Sequence, residues 1–356
     1  MKDRIYVCHT FYHVYVACLK EFYIADGGKA TLVLSKMSNK FGKMVDRAKK
    51  SPIFDEVVEY DEKLDTFFPE LKPLKEDSGN IALNMLKRIK FCRKFGQLQE
   101  QFIPVDFSEY KDIYVFCDSD PIGYYLNYKK IRYHALEDGL DCIRYYDTAR
   151  YDNRGHFKIK AWMASKGLIH IQNGYGKYCI DMEVNNISVL KYTCPKYVEL
   201  PRKKLTDRLT QVEKNLMLDL FVENSHEISE KVSGKQETVL VLSEPLCDLD
   251  TRATIFRDII RDYGTINGKK ANVIIKQHPR DLLDYRPLFP DAIILDGTFP
   301  MEMLNFIENI RFDRLVSVYT AVDSIQFVDE KIFLGDDFMD KYEAPEIHRQ
   351  NEAITD

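Results

Sequence analysis

The pattern that most constrains this chain is an alternation of short apolar runs with amphipathic helical segments, which occurs twice and is broken once by a polar stretch. In the first half, strand signals fall at residues 4–8, 30–34, 56–60, 113–117 and 131–135. Helical patterns fall at 12–24, 39–49 and 78–102, bounded by polar or glycine-rich turns such as Asp26-Gly27-Gly28. A long helix rich in leucine and charge is expected over 206–223. The alternation then restarts, with strands at 238–242, 272–276, 292–295 and 315–318 and helices at 251–263 and 301–308. Alternating β and α elements predict parallel sheets with covered faces. A length of 356 residues exceeds one ordinary core. The sequence therefore predicts a Rossmann-like domain with a connecting helix over 1–223, a linker over 224–237 and a second Rossmann-like domain over 238–356.

In open parallel sheets, ligands bind beyond the carboxyl ends of the strands, so the residues at those ends matter most. The run 272–276 delivers His278-Pro279, flanked by Lys276 and Arg280. Pro279 biases His278 away from helical geometry, and the two cations suit a phosphate. Upstream, the run 131–135 leads into Glu137-Asp138-Gly139. Gly139 permits a sharp turn or a close approach. With Leu136 and Leu140 alongside, one carboxylate can carry the raised pKa that a general base needs. A third strand end holds Ser317, Tyr319 and Thr320, where Thr320 is a candidate N-cap and a helix N-terminus offers N–H donors to an anion. Before it, in Asp296-Gly297-Thr298-Phe299-Pro300-Met301-Glu302, Pro300 suits a first helical turn. Glu302 then either accepts ribose hydroxyls or complements the helix dipole. Asp118 and Asp120 follow the run 113–117, and His9 with Thr10 closes the first run; each also reads as a cap or turn former. Gly174-Tyr175-Gly176 lacks the third glycine of a dinucleotide fingerprint and reads as a turn.

A net charge of −5 argues against general nucleic-acid binding. The cysteines are scattered, without a CxxC pair, and read as reduced core residues; no metal site is expected. His9, His13 and Lys20 interrupt any leader-like apolar core, and no run of apolar residues is long enough to span a bilayer. Residues 86–95 interleave five cations with Leu86, Ile89, Phe91 and Phe95. That pattern fits a surface helix with one buried edge, or a basic helix lying at a membrane interface.

Taken in order, Glu137-Asp138-Gly139, His278-Pro279 and Ser317 with Tyr319-Thr320 resemble the acidic, His-Pro and serine/threonine motifs of bacterial GT-B sialyltransferases, glycosyltransferase family 52 in particular. Tyr6-Val7-Cys8-His9-Thr10 and Leu240-Val241-Leu242-Ser243-Glu244-Pro245-Leu246 look like two further strand-to-loop turns of that family. One departure is Tyr319-Thr320, where the family often has adjacent serines; it leaves the contact to the donor's carboxylate open. The resemblance implies a GT-B fold, with two Rossmann-like domains facing a central cleft, and a single inverting displacement from CMP-sialic acid. Asp138 or Glu137 would act as base, and His278 would bind and protonate the phosphate with Lys276, Ser317 and Thr320. Glu302 would hold the ribose. Ser243, Glu244, Pro245, Leu246, Gly297, Phe299, Pro300, Pro279 and Tyr319 would line the nucleotide side, and His9, Thr10, Asp118 and Gly139 the acceptor side. It implies no cofactor beyond the nucleotide-sugar donor, no nucleic acid, and a capsule or lipooligosaccharide acceptor. Expected localisation is cytoplasmic, with peripheral contact at the inner face of the plasma membrane if that acceptor is lipid-linked; a homodimer stays open. CMP-Kdo or CDP-polyol transfer, and a non-catalytic nucleotide- or glycan-binding protein of the same fold, are the alternatives.

Overall fold

Strand β1, Lys2–Cys8, is an interior strand, third in a seven-stranded sheet, and its run Ile5-Tyr6-Val7 is wholly buried. A computed structural model of the chain describes all residues except 39, 117, 119, 120, 140–154, 191, 192, 224, 233–235, 296, 309, 321, 323, 324 and 349–356, and the side chains of 226, 227 and 231. The other strands are β2 (Ala30–Ser35), β3 (Glu56–Tyr60), β4 (Tyr110–Phe116), β5 (Tyr133–Leu136), β6 (Cys179–Val184) and β7 (Tyr197–Glu199). All pair in parallel in the order β3-β2-β1-β4-β5-β6-β7, with Tyr6 opposite Leu32 on one side and Tyr114 on the other. The order reverses between β1 and β4, the position where such sheets open a crevice at their carboxyl edge.

Local chemistry fixes the flanking helices. Helix Phe11–Ile24 starts where the Thr10 hydroxyl accepts the His13 N–H and ends at Ala25 in the left-handed region. Buried Arg4 ties β1 to that helix through Glu21. Helix Ile81–Gln99 packs on helix Pro121–Lys129 at Gly96, where a Cβ would stand 2.5 Å from Tyr128 Cβ and 2.6 Å from the Tyr124 carbonyl.

The second sheet has five parallel strands in the order β12-β11-β8-β13-β14: β8 (Thr238–Leu242), β11 (Asn272–Lys276), β12 (Ile293–Leu295), β13 (Phe312–Ser317) and β14 (Val328–Phe333). A small antiparallel arm, β9 (Thr265–Ile266) with β10 (Lys269–Lys270), precedes β11. Helix Leu249–Tyr263 lays Ile255, Phe256 and Ile259 on a core that includes Val239, Val241, Ile275 and Val316. The chain divides into two compact units, Met1–Glu213 and Lys214–Ile354, each with its own sheet and core.

Two expected elements take a different form. The helix expected over 206–223 is two, Arg202–Thr206 and Gln211–Phe221. A capping box separates them, since Thr210 Oγ1 accepts the Glu213 N–H while the Glu213 carboxylate accepts the Thr210 N–H. The stretch read as a linker contains helix Ser225–Val232. Among the described cysteines, none forms a disulfide. No helix among the described residues is long and apolar enough to cross a membrane.

Alanine in place of a helical glycine ordinarily stabilises. At Gly96 the sign reverses, because the added methyl meets backbone: Gly96→Ala is expected to cost about 1–3 kcal/mol, read as a lower denaturant midpoint at unchanged slope.

Candidate active site

Because both sheets are parallel, every loop that follows a strand leaves from the carboxyl edge. In the first unit, β5 runs into Glu137, Asp138 and Gly139. The Glu137 carboxylate is 5% exposed and accepts the Asn185 N–H at 2.5 Å. Burial pushes its pKa up; the Asn185 N–H and the Arg202 charge pull it down, and Asp138 adds to the rise. Asp138 is the more accessible of the two, with a third of its side chain exposed, and it bonds to His13 Nε2. His13 is buried, stacked on Phe116 with centroids 3.9 Å apart, and its Nδ1 accepts the His9 N–H at 3.0 Å. With Nδ1 used as an acceptor, the neutral ring carries its proton on Nε2 and donates it to Asp138. Gly139 holds φ +133°, a conformation that side chains rarely adopt.

Three residues expected on the acceptor side make bonds within the fold. His9 is buried, its Nε2 lying 2.6 Å from Glu62. Glu62 also accepts the Ser35 hydroxyl and the Ile122 N–H, so one buried carboxylate pins β1, β2 and the start of helix Pro121–Lys129. The Thr10 hydroxyl is spent as the helix cap. Asp118 is wholly buried at φ +46° and accepts the Tyr133 hydroxyl at 2.6 Å and the Asn173 N–H at 2.6 Å. Burial pushes its carboxyl up to about 7 against those donors. The Asp118 carbonyl in turn accepts His170 Nε2–H, and burial pushes His170 down to about 4. Asp120 lies outside the described residues.

In the second unit, Ser243, Glu244, Pro245 and Leu246 follow β8, His278 and Pro279 follow β11, Gly297 and Phe299 follow β12, and Tyr319 with Thr320 follows Ser317 at the end of β13. His278 Nδ1 accepts the Arg280 N–H at 3.1 Å, which puts the neutral ring's proton on Nε2. Desolvation first, then the Arg280 and Lys276 charges, push its pKa down to about 4. The turn is held by Asp281, buried at 5% exposure, which accepts from Ser243 Oγ, Arg252 Nη1 and Tyr285 Oη. Ser243 Oγ in turn accepts the His278 N–H at 3.0 Å. Gly297 allows a close approach: a Cβ there would lie 3.0 Å from the His278 carbonyl oxygen and 3.0 Å from Pro279 Cα.

Lys276 is buried with its ammonium 4.2 Å from the Phe299 ring centroid, and it donates to the Gln277 carbonyl. Pro300 is the N-cap of a 3-10 helix, Met301–Phe306, with Glu302 in its first turn. Burial raises the Glu302 carboxyl, and Lys276 pulls against that rise.

The N–H groups after β13 meet an unexpected occupant. The Glu244 carboxylate accepts from the N–H groups of Val318, Tyr319 and Thr320 at 2.9–3.2 Å, and from Ser317 Oγ at 3.3 Å. These donors form an anion-binding nest of the kind expected for a phosphate, filled by the chain itself. Asp281, Glu62 and His13 carry most of this geometry, and sequence reading gave them no role. Only Asp281, two residues beyond Pro279, carried a local signal.

Two parallel-sheet Rossmann-like units with their polar residues at the strand ends define a protein of the GT-B class. The chain belongs to glycosyltransferase family 52, whose model matches residues 53–333. An α/β-galactoside α-2,3-sialyltransferase from Photobacterium phosphoreum superposes with TM-score 0.53 at 11% identity, over 93% of this chain and 90% of that one. The UDP-GlcNAc 2-epimerase of Neisseria meningitidis has TM-score 0.47 at 11% identity, over 90% and 79% of the two chains. An uncharacterised Haemophilus influenzae protein is 25% identical over 101 residues, 27% of this chain and 31% of that relative.

Removing the nest's occupant tests this arrangement. Glu244→Ala leaves a cluster of buried donors unpaired and is expected to cost about 2 kcal/mol or more. Added inorganic phosphate should raise the melting temperature of the variant more than that of the wild type, since only the variant has a vacant nest. The lowered histidines set a pH dependence. His170 folded binds a proton less well than unfolded, so its stabilising effect is complete above pH 6.5 and is lost as pH falls towards 4. For His170 the loss between pH 7.5 and pH 5 is about 2 kcal/mol, and denaturant titrations should show it shrink in His170→Gln.

Proposed function

We propose that this protein is an inverting glycosyltransferase that moves sialic acid from CMP-sialic acid to a hydroxyl of a capsule or lipooligosaccharide glycan. The observation that carries the reading is the pairing of motif and chemistry within the family match. Residues 53–333 contain an accessible carboxylate, Asp138, and a neutral imidazole with its proton on Nε2, His278; the histidine that orients Asp138, His13, lies before the matched span. The TM-score of 0.53 with a bacterial sialyltransferase supports the fold such a reaction uses.

In this reading Asp138 takes the proton from the attacking acceptor hydroxyl, whose oxygen forms the new bond to the anomeric carbon. The bond from that carbon to the CMP phosphate oxygen breaks, and CMP leaves as a phosphate monoester. His278 donates Nε2–H to the developing phosphate charge. At a pKa near 4 the free ring is neutral, so it acts first as a hydrogen-bond donor. A bound dianion raises its pKa and brings proton transfer within reach. Lys276 contributes positive potential, Glu302 accepts the ribose hydroxyls, and Ser317 and Thr320 face the phosphate once Glu244 yields their donors. Protein donors and cations then stabilise the leaving group without a metal. Glu137, buried and held by Asn185, positions the turn that carries Asp138.

His278→Ala is expected to lower turnover by roughly two orders of magnitude or more, and Asp138→Asn to be far more damaging than Glu137→Gln. A donor panel checks the sugar: hydrolysis of CMP-sialic acid without acceptor supports the reading. Turnover of CMP-Kdo or CDP-ribitol in its place would reassign the donor, and CMP binding with no turnover would mark a binding protein. In nitrogen-detected NMR, CMP should move the His278 midpoint upward from near 4.

A further inference from the structure

Two helices of the first unit carry a surface that the transfer chemistry does not use. Helix Ile81–Gln99 buries Phe91, Cys92 and Phe95, and helix Phe157–Ser165 buries Met163 and Ala164, in one hydrophobic cluster. The chain just after the second helix is bonded to the first: His170 N–H donates to Cys92 Sγ, and Arg88 Nη2 donates to the His170 carbonyl.

The opposite faces of both helices leave large apolar side chains in water. Leu83 and Leu86 are 46% and 56% exposed, and Ile159 and Trp162 are 53% and 58% exposed. Trp162 is the only tryptophan in the chain. Leu83, Leu86, Lys90 and Arg93 recur at helical spacing, so the exposed stripe turns from apolar to basic along one face. Lys94, Lys158 and Lys166 are exposed as well. Neither residues 81–99 nor residues 155–177 contain an aspartate or glutamate, in a chain whose net charge is −5. Both helices are therefore net positive on an acidic molecule, with Asp77, bonded to Asn84, as an acidic neighbour of the first.

Charge and apolarity together select the occupant. A nucleic acid would use the cations and leave Leu83, Leu86, Ile159 and Trp162 unexplained. The core of a protein interface is depleted in lysine. An anionic bilayer matches both halves: leucine, isoleucine and tryptophan sink to the boundary of headgroup and acyl chain, and lysine and arginine stay among the phosphates.

We propose that the paired outer faces of helices Ile81–Gln99 and Phe157–Ser165 dock this protein onto an anionic lipid bilayer. The contact lies in the interface plane and is independent of the transfer reading. Trp162 is a built-in reporter for it. The experiment adds vesicles of phosphatidylglycerol mixed with phosphatidylcholine, or of phosphatidylcholine alone, to the full chain, and follows tryptophan emission and flotation. The expected result is a blue shift and flotation with the anionic vesicles, reversed by high salt, and neither with the neutral ones. Lys90→Glu with Arg93→Glu should lower partitioning roughly tenfold or more, and Leu83→Ser with Leu86→Ser should lower it with melting unchanged. Absence of flotation with anionic vesicles would overturn the proposal. So would flotation with unchanged Trp162 emission, which would place the contact elsewhere, or retention on a polyanion such as heparin without lipid binding.

Discussion

A carboxylate buried at the end of a parallel strand is the interaction on which this structure depends. Such a charge is costly unless its lone pairs are matched by donors, and the matching donors come from neighbouring loops. Glu62 collects His9, Ser35 and Ile122; Asp118 collects Tyr133 and Asn173; Asp281 collects Ser243, Arg252 and Tyr285; Glu244 collects the N–H groups after β13. Each one converts a set of independent turns into a single rigid edge. Removing one partner strands the others without water, so these residues act on loop geometry well beyond their own contacts.

The same edges hold histidines in defined tautomers. His13 and His278 each accept a backbone N–H at Nδ1, and so each presents a proton at Nε2. In His13 that proton goes to Asp138; in His278 a lowered pKa keeps the ring a neutral donor. A backbone N–H thus settles which ring atom is available for chemistry, at no cost in extra side chains.

How much of this was legible in the sequence follows from where each signal is stored. Strands β8 and β11 fall at the expected residues because their apolar runs are continuous and bounded by polar turns. The edge strand β14 was missed because most of its residues are exposed, so its apolar signal is weak. Strand β6 was missed because Asp181 and Glu183 interrupt it, one bonded to His134 and the other to Lys20. The break before Gln211 was written in Thr210 and Glu213, but leucine periodicity on both sides outweighed it. In the site, Asp281 sits beside a motif and carried a local signal, whereas partners supplied by distant segments carried none. Glu62 lies 60 positions from its Ile122 partner, and His13 lies 125 from Asp138. Separations of that size leave no local pattern to read.

The filled nest after β13 has a thermodynamic consequence. A visiting anion does not enter an empty cradle: it competes with Glu244, which is tethered and so present at high effective concentration. Its observed affinity is reduced by the strength of that internal contact. Anions no stronger than a carboxylate gain little by exchange, whereas a doubly charged group with three acceptor oxygens can gain. The free chain thereby carries its own threshold against weak anions.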